Sequence, residues 1–255
     1  MLRPYAIIAI LAGMLLPALA TAQKKAKVQI ARTEMNNLSG AIQQYFATYN
    51  RMPVSPNIRA LVNNATPDFT FGSKDAQLAG GNVPISPTAS APAMPGATPY
   101  YSNRQLIATL RDQSYFGDGT TQTDNGIQHA LNPNRVVFYN VKDVKGIGPN
   151  GVGSDGVYRD PWGNPYMITV DLNYDNRARD AIYKWNAVSS DPNKPTGSSC
   201  GLTKLPDANG VFQNNTFEAN ATVMIWSMGP DHQFDIGVNA ATKGGVNADN
   251  ILSWK

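Results

Sequence analysis

The chain has 255 residues, 42% of them hydrophobic, which is enough for one good core; charged residues are only 15%, against roughly 25% in an average soluble domain. Twenty-five Asn, 22 Gly and 18 Pro make up about a quarter of the sequence, which excludes a helical bundle or coiled coil throughout and predicts a loop-rich body containing β-structure. The net charge of +3 and the absence of any RNA- or DNA-binding signature exclude nucleic acid as a partner. The single cysteine, Cys200, excludes an internal disulfide and a Cys-based metal cluster, and two histidines, His129 and His232, leave little room for His-dependent chemistry.

Residues 5–22 form the one strongly apolar stretch. About eighteen residues is the lower edge of what spans a bilayer as a helix. A secretory signal peptide is the rival reading, with Arg3 as the charged end, residues 6–19 as the apolar core and Ala20-Thr21-Ala22 as a cleavage site before Gln23. Beyond it, Val28, Ala31, Met35, Leu38, Ile42, Tyr45 and Tyr49 recur at alternating steps of three and four, one continuous apolar stripe on a helix. Lys24, Lys25, Arg32, Asn36, Gln43 and Thr48 fall on other faces, and Pro53 disfavours helix at Met52. An all-round apolar helix therefore runs into an amphipathic one without a loop, with Pro17 as the one expected kink.

Residues 6–22 followed by Gln23-Lys24-Lys25-Ala26-Lys27, with Pro17 inside, resemble the N-terminal helix of the type IV pilin and pseudopilin superfamily. The resemblance implies a single-pass inner-membrane subunit with a periplasmic body. It also implies a homo-oligomeric helical filament cohering through Ile7, Ile8, Ile10, Leu11, Leu15, Leu16 and Pro17, and membrane-bound assembly proteins as partners. The family's glycine and Phe-Thr-Leu-x-Glu segment, which the prepilin peptidase cuts, is missing from Met1-Leu2-Arg3-Pro4-Tyr5. Either the true start lies upstream or the processing site has been lost; Lys24, Lys25, Lys27 and Arg32 follow the apolar stretch while Arg3 alone precedes it, against the positive-inside expectation, which favours an upstream leader.

The remainder divides into an amphipathic half-helix at 23–52 and a body at 53–255, after the apolar half at 1–22. A Pro-rich stretch at 80–99 reads as a surface loop, and 72–150 matches nothing in the family. A short helix is expected at 105–111 with Leu106, Ile107 and Leu110 as its apolar face, and strands at 135–141, 166–172 and 222–227. A front helix followed by separated strands argues an α+β fold, the long helix packed on an antiparallel sheet within 135–255.

Two segments carry most of the chemistry. In Tyr158-Arg159-Asp160-Pro161-Trp162-Gly163-Asn164-Pro165-Tyr166, Pro161 sets φ for a turn, Gly163 permits positive φ, and Trp162 is the expected plug into the core. It resembles the Asp-Pro-Trp-Gly-x-Pro-Tyr corner of type II secretion major pseudopilins. The second is residues 226–235 with the tail 246–254, similar to the loop and closing tail that wrap calcium in those proteins. The resemblance implies backbone oxygens from Met228 and Gln233 and side-chain oxygens from Asp231, Asp249 and Asn250, with Asp235 as a further candidate. Asn250 stands where the family has aspartate and His232 where it has glycine, which weakens the expected site. EF-hand spacing is absent.

Other readings are thinner. Asp155 with Asp160, or Asp171, Asp175 and Asp180, could be posed as paired carboxylates of a periplasmic hydrolase, but in Asn- and Gly-rich loops such residues are commonly turn-formers. Gly146-x-Gly148 and Gly151-x-Gly153 lack the strand–helix context of a phosphate cradle, and His129 has no evident partner in sequence. The leading expectation is a non-enzymatic pilin-like subunit; a secreted binding domain released after Ala22 is the alternative.

Overall fold

The computed structural model describes residues 4–62, 67–72, 102–191, 193–207 and 209–255, with the side chains of 4–12, 14, 195 and 196 left aside. The expected Pro-rich loop at 80–99 and the side chains of Ile7, Ile8, Ile10 and Leu11 therefore lie outside the described residues.

Helix α1 runs from Pro4 to Tyr49, through Pro17, as one continuous element. Asn50, in the left-handed region at φ 51°, stops it, and its N–H donates to the Phe46 carbonyl at 2.7 Å. The predicted stripe is the buried face: Ala31, Met35, Leu38, Ile42 and Tyr45 are inaccessible, Ala41 joins them, and Val28 and Tyr49 lie at its margins. N-terminal to that face the helix is open to solvent, with Leu15, Leu16 and Leu19 exposed by 66%, 67% and 55%.

One expectation is corrected here. Among the described residues no helix is long and apolar enough to cross a membrane, which overturns the single-pass inner-membrane anchor and the localisation drawn from it. The physical reason lies in the described side chains. Among the described side chains the apolar residues between Leu15 and Ala22 are interrupted by Pro17 and Thr21 and followed by Lys24, Lys25 and Lys27, and the whole stretch of residues 5–22 stays short of the about twenty apolar residues a bilayer core asks for.

Short helix α2, Pro56–Arg59, follows, and then strand β1, Asp68–Phe71. Helix α3, Arg104–Leu110, buries Leu106, Ile107 and Leu110 as expected. Hairpin strands β2, Gly151–Val152, and β3, Tyr158–Arg159, lead into β4, Met167–Asp171. Helix α4, Asn186–Ser189, precedes a second hairpin of β5, Ser190–Asp191, and β6, Lys194–Ser198. Strand β7, Val223–Ser227, and β8, Ile251–Leu252, complete the main sheet. Its order is β1-β4-β7-β8, antiparallel throughout. The result is the expected α+β fold, a long N-terminal helix on a C-terminal antiparallel sheet, an arrangement like that of pilins.

Strands β4 and β7 are buried on both faces and so show no alternation with exposed polar residues; the one polar side chain inside β4, Thr169, is satisfied by Thr70 and Asp180. Ile168, Val170, Val223 and Ile225 face α1 in one cluster, while Met167, Met224 and Trp226 point into a second cluster with Tyr183, Phe217, Phe234 and Cys200. Residues 135–141 form no strand. Phe138 and Tyr139 both donate their N–H groups to the Leu110 carbonyl, and Phe138 packs edge-on against Tyr45 and Tyr49 of α1. Side-chain packing on the helix end replaces ladder pairing, and Val137 is left 60% exposed. The strand that does complete the sheet, β1, lies upstream.

Truncation of the stripe should separate the two halves of α1. Leu38→Ala is expected to destabilise the fold by about 2–5 kcal/mol in urea denaturation, while Leu16→Ala stays within about 0.5 kcal/mol of the parent.

Candidate functional site

The corner after β3 is organised by one carboxylate. Asp160 is fully buried, and its Oδ1 accepts the backbone N–H groups of Trp162, Gly163 and Asn164, each at 2.8 Å. Its Oδ2 accepts the Asn164 amide at 2.9 Å and the Ser227 hydroxyl. Burial pushes the carboxyl pKa up, opposed by these donors. Gly163 has φ 101°, the positive value the turn demands. Pro161, Pro165 and Tyr166 are buried; Trp162 is only half-buried, under Lys27 Nζ at 5.8 Å from its ring. Tyr166, not Trp162, plugs the corner into the core. Its hydroxyl donates to Glu34 of α1 at 2.6 Å, and burial raises the Glu34 pKa.

The corner is wired to the terminal loop. The Asn164 amide also donates to the Gly229 carbonyl at 2.7 Å, and its oxygen meets His232 Nδ1 at 2.5 Å. After β7 the chain makes a single 3-10 turn, Gly229–Asp231, with Met228 buried before it. The antiparallel register pairs Ser227 with Ile251, so the next residues outward, Met228 to Gln233 and Asp249 to Asn250, face each other by necessity. Gly229 makes this possible: at φ 70°, a Cβ there would lie 2.4 Å from the Asp249 carbonyl oxygen. His232 adopts φ 59°, the conformation that favours the glycine of the resembled family.

Met228, Asp231 and Gln233 thus follow β7 and Asp249 and Asn250 precede β8, on the chain segments that leave the same end of that pair. Asp231 Oδ1 accepts the Gln233 N–H at 2.9 Å, and the Asn250 amide donates to the Tyr183 hydroxyl at 2.9 Å. Asp249 Oδ1 and Asn250 Oδ1 are buried with no hydrogen-bond partner among the described residues. An unsatisfied buried oxygen costs about 1–3 kcal/mol, so each of these two atoms carries such a cost. The Asp249 pKa is raised, first by burial and then by the nearby Asp231 carboxylate, with Lys24 opposing. Among the described residues no group of three or more His, Cys, Asp or Glu gathers. Two carboxylates with an amide oxygen and backbone carbonyls are a hard-oxygen set that suits calcium rather than zinc. Asp235 lies apart from this set in its bonding, its Oδ1 accepting the Gly237 N–H at 2.7 Å.

The carboxylates posed for hydrolysis hold backbone instead. Asp171 accepts the N–H groups of Tyr174 and Asn176, Asp180 accepts those of Ile182 and Tyr183 together with Thr169 and Trp226, and Asp175 accepts that of Arg177. Asp155 pairs bidentately with Arg159. His129 does find a partner, Asp112, at 2.7 Å. Cys200 is buried between Ser189 and Ser198, below Trp254. Sequence reading missed Glu34, Asn164 and Ser227 as the groups joining helix, corner and loop. The visible signal was Glu34, the one acidic residue of α1, beside the stripe.

No known family, curated protein or solved structure matches this chain.

Two expectations follow. Asp160→Ala orphans several buried donors and should cost about 3 kcal/mol or more in chemical denaturation, whereas Asp175→Ala, on the exposed loop, costs well under that. The second concerns Asp68, buried opposite Asp171 in the β1–β4 register and accepting the N–H groups of Leu172 and Arg179. Burial lifts its pKa from 3.8 to about 7. A folded-state pKa above the unfolded value means stability that is complete below about pH 4 and lost as the pH rises through about 7. Unfolding free energy measured from pH 5 to 8 should therefore fall, and Asp68→Asn should flatten that slope.

Proposed function

We propose that this chain is a non-enzymatic structural subunit of pilin-like type that self-associates through the exposed half of α1, with its terminal loop clamped by calcium. The observation that carries the reading is the division of α1. One helix is seated in the body by its stripe from Ala31 to Tyr45, while Leu15, Leu16 and Leu19 of the same helix are exposed. Fully covering each of those leucines contributes about 1.5–3 kcal/mol, and a second copy offers the same apolar surface. Membrane anchoring is no part of this reading.

Calcium rests on the two orphaned oxygens of Asp249 and Asn250 beside Asp231. A divalent cation would satisfy both oxygens and cancel the repulsion of the two carboxylates at once. The loop it would order is tied through Asn164 to the Asp160 corner, so its effect reaches the sheet.

Sedimentation velocity of the full chain should show concentration-dependent oligomers that Leu16→Asp with Leu19→Asp dissolves while the circular dichroism spectrum is unchanged; a monomer at all concentrations refutes self-association. Chelation with EGTA should lower the Tm of the parent, and Asp231→Ala should abolish the difference between calcium and EGTA. A parent protein indifferent to both refutes the calcium clamp.

A further inference from the structure

We infer that the basic segment of α1 formed by Lys24, Lys25, Lys27 and Arg32 is a docking surface for the acidic body of a second copy of this chain; this rests on the self-association proposed above and specifies its electrostatic half. The sequence is divided by sign. Residues 1–62 carry seven cations, Arg3, Lys24, Lys25, Lys27, Arg32, Arg51 and Arg59, against Glu34 alone, a net +6; the remaining residues hold fourteen cations against seventeen carboxylates, a net −3. The net charge of +3 conceals this division.

The four cations are all exposed on α1, within nine residues of one another. None of them makes an ion pair among the described residues; the ion pairs found there join body residues to body residues. Their contacts within the chain are slight. Lys27 lies over the Trp162 ring, and Lys24 is within electrostatic reach of Asp249. Four like charges this close on one helix repel each other, so an apposed negative surface lowers their energy.

The body carries the opposite sign in slight excess, with carboxylates on separate exposed loops. Asp118, Asp175 and Asp207 are exposed and in no ion pair among the described residues. The Thr121 hydroxyl with the Thr121 and Thr120 N–H groups holds Asp118, and turn N–H groups led by that of Val211 hold Asp207, below the ordinary carboxylate range, so both stay ionised at neutral pH. Because the two signs lie on different parts of one molecule, the contact is heterologous: the helix of one copy meets the body of the next, and the pairing can repeat. The basic segment also adjoins Leu15, Leu16 and Leu19 on the same exposed half-helix, so charge would orient copies that apolar contact then holds. The complementary charge carried by the chain itself favours a second copy over an anionic lipid surface.

The test is sedimentation velocity of the full chain at 50 and 500 mM NaCl, using the parent, Lys25→Glu with Arg32→Glu, and the corresponding double Gln variant. Both sites are exposed, and circular dichroism and Tm verify folding. Association should weaken about tenfold or more at high salt, and by a similar factor for the Glu pair, with the Gln pair intermediate. If the parent associates but neither salt nor charge reversal changes the affinity, the docking surface is refuted and apolar self-association stands. If the parent never associates at either salt, the proposed function itself fails. Charge-dependent binding to phosphatidylglycerol vesicles without any effect on self-association would assign the segment to a lipid surface and overturn the inference.

Discussion

The buried carboxylate of Asp160 accepts from three consecutive backbone N–H groups, from Asn164 and from Ser227, and so joins three parts of the chain that are far apart in sequence. The corner feeds β4, Ser227 ends β7, and Asn164 reaches on to the Gly229 carbonyl at the start of the terminal loop. A charge at that depth is tolerable because every one of these donors is aimed at it. Remove the carboxylate and the corner, the sheet and the loop lose their common reference. Asp180 plays a matching part behind the sheet, taking Thr169, Trp226 and two backbone donors.

The terminal loop shows the opposite condition. Where Asp160 is saturated, Asp249 and Asn250 each bury an oxygen without a hydrogen-bond partner among the described residues, and the Asp231 carboxylate lies near Asp249. That contrast within one molecule is what supports the cation clamp proposed above. In the proposed clamp, Asp231 and Asp249 would supply two negative charges, equal and opposite to one calcium ion.

Helix α1 is divided between a seated half and an exposed half. Its C-terminal half is fixed by apolar packing and by tyrosine hydroxyls, Tyr45 to the Leu131 carbonyl and Tyr49 to Asn132, while Glu34 sets its register against Tyr166. Its N-terminal half offers leucines and then cations to whatever lies beside it. A continuous helix seated at one end and exposed at the other is the form that the self-association proposed above requires.

The sequence by itself determined the seated face of α1, because a stripe at steps of three and four has one geometric solution, and the helix 104–110 and strands β4 and β7, whose apolar runs are too short for anything but buried elements. It also determined the turn at 160–166, since Pro161 and Gly163 constrain φ locally. Tertiary structure alone decided the rest. Residues 135–141 have strand-like composition but found a helix end to pack on instead of a ladder partner, and Asp68–Phe71, unremarked in the pattern, took the sheet edge. The same holds for the joining of Asp160, Asn164, Ser227 and Gly229, and for the register that sets Asp231 beside Asp249: hydrogen bonds between residues some 65 apart leave no trace in local spacing, because strand pairing and not periodicity brings them together.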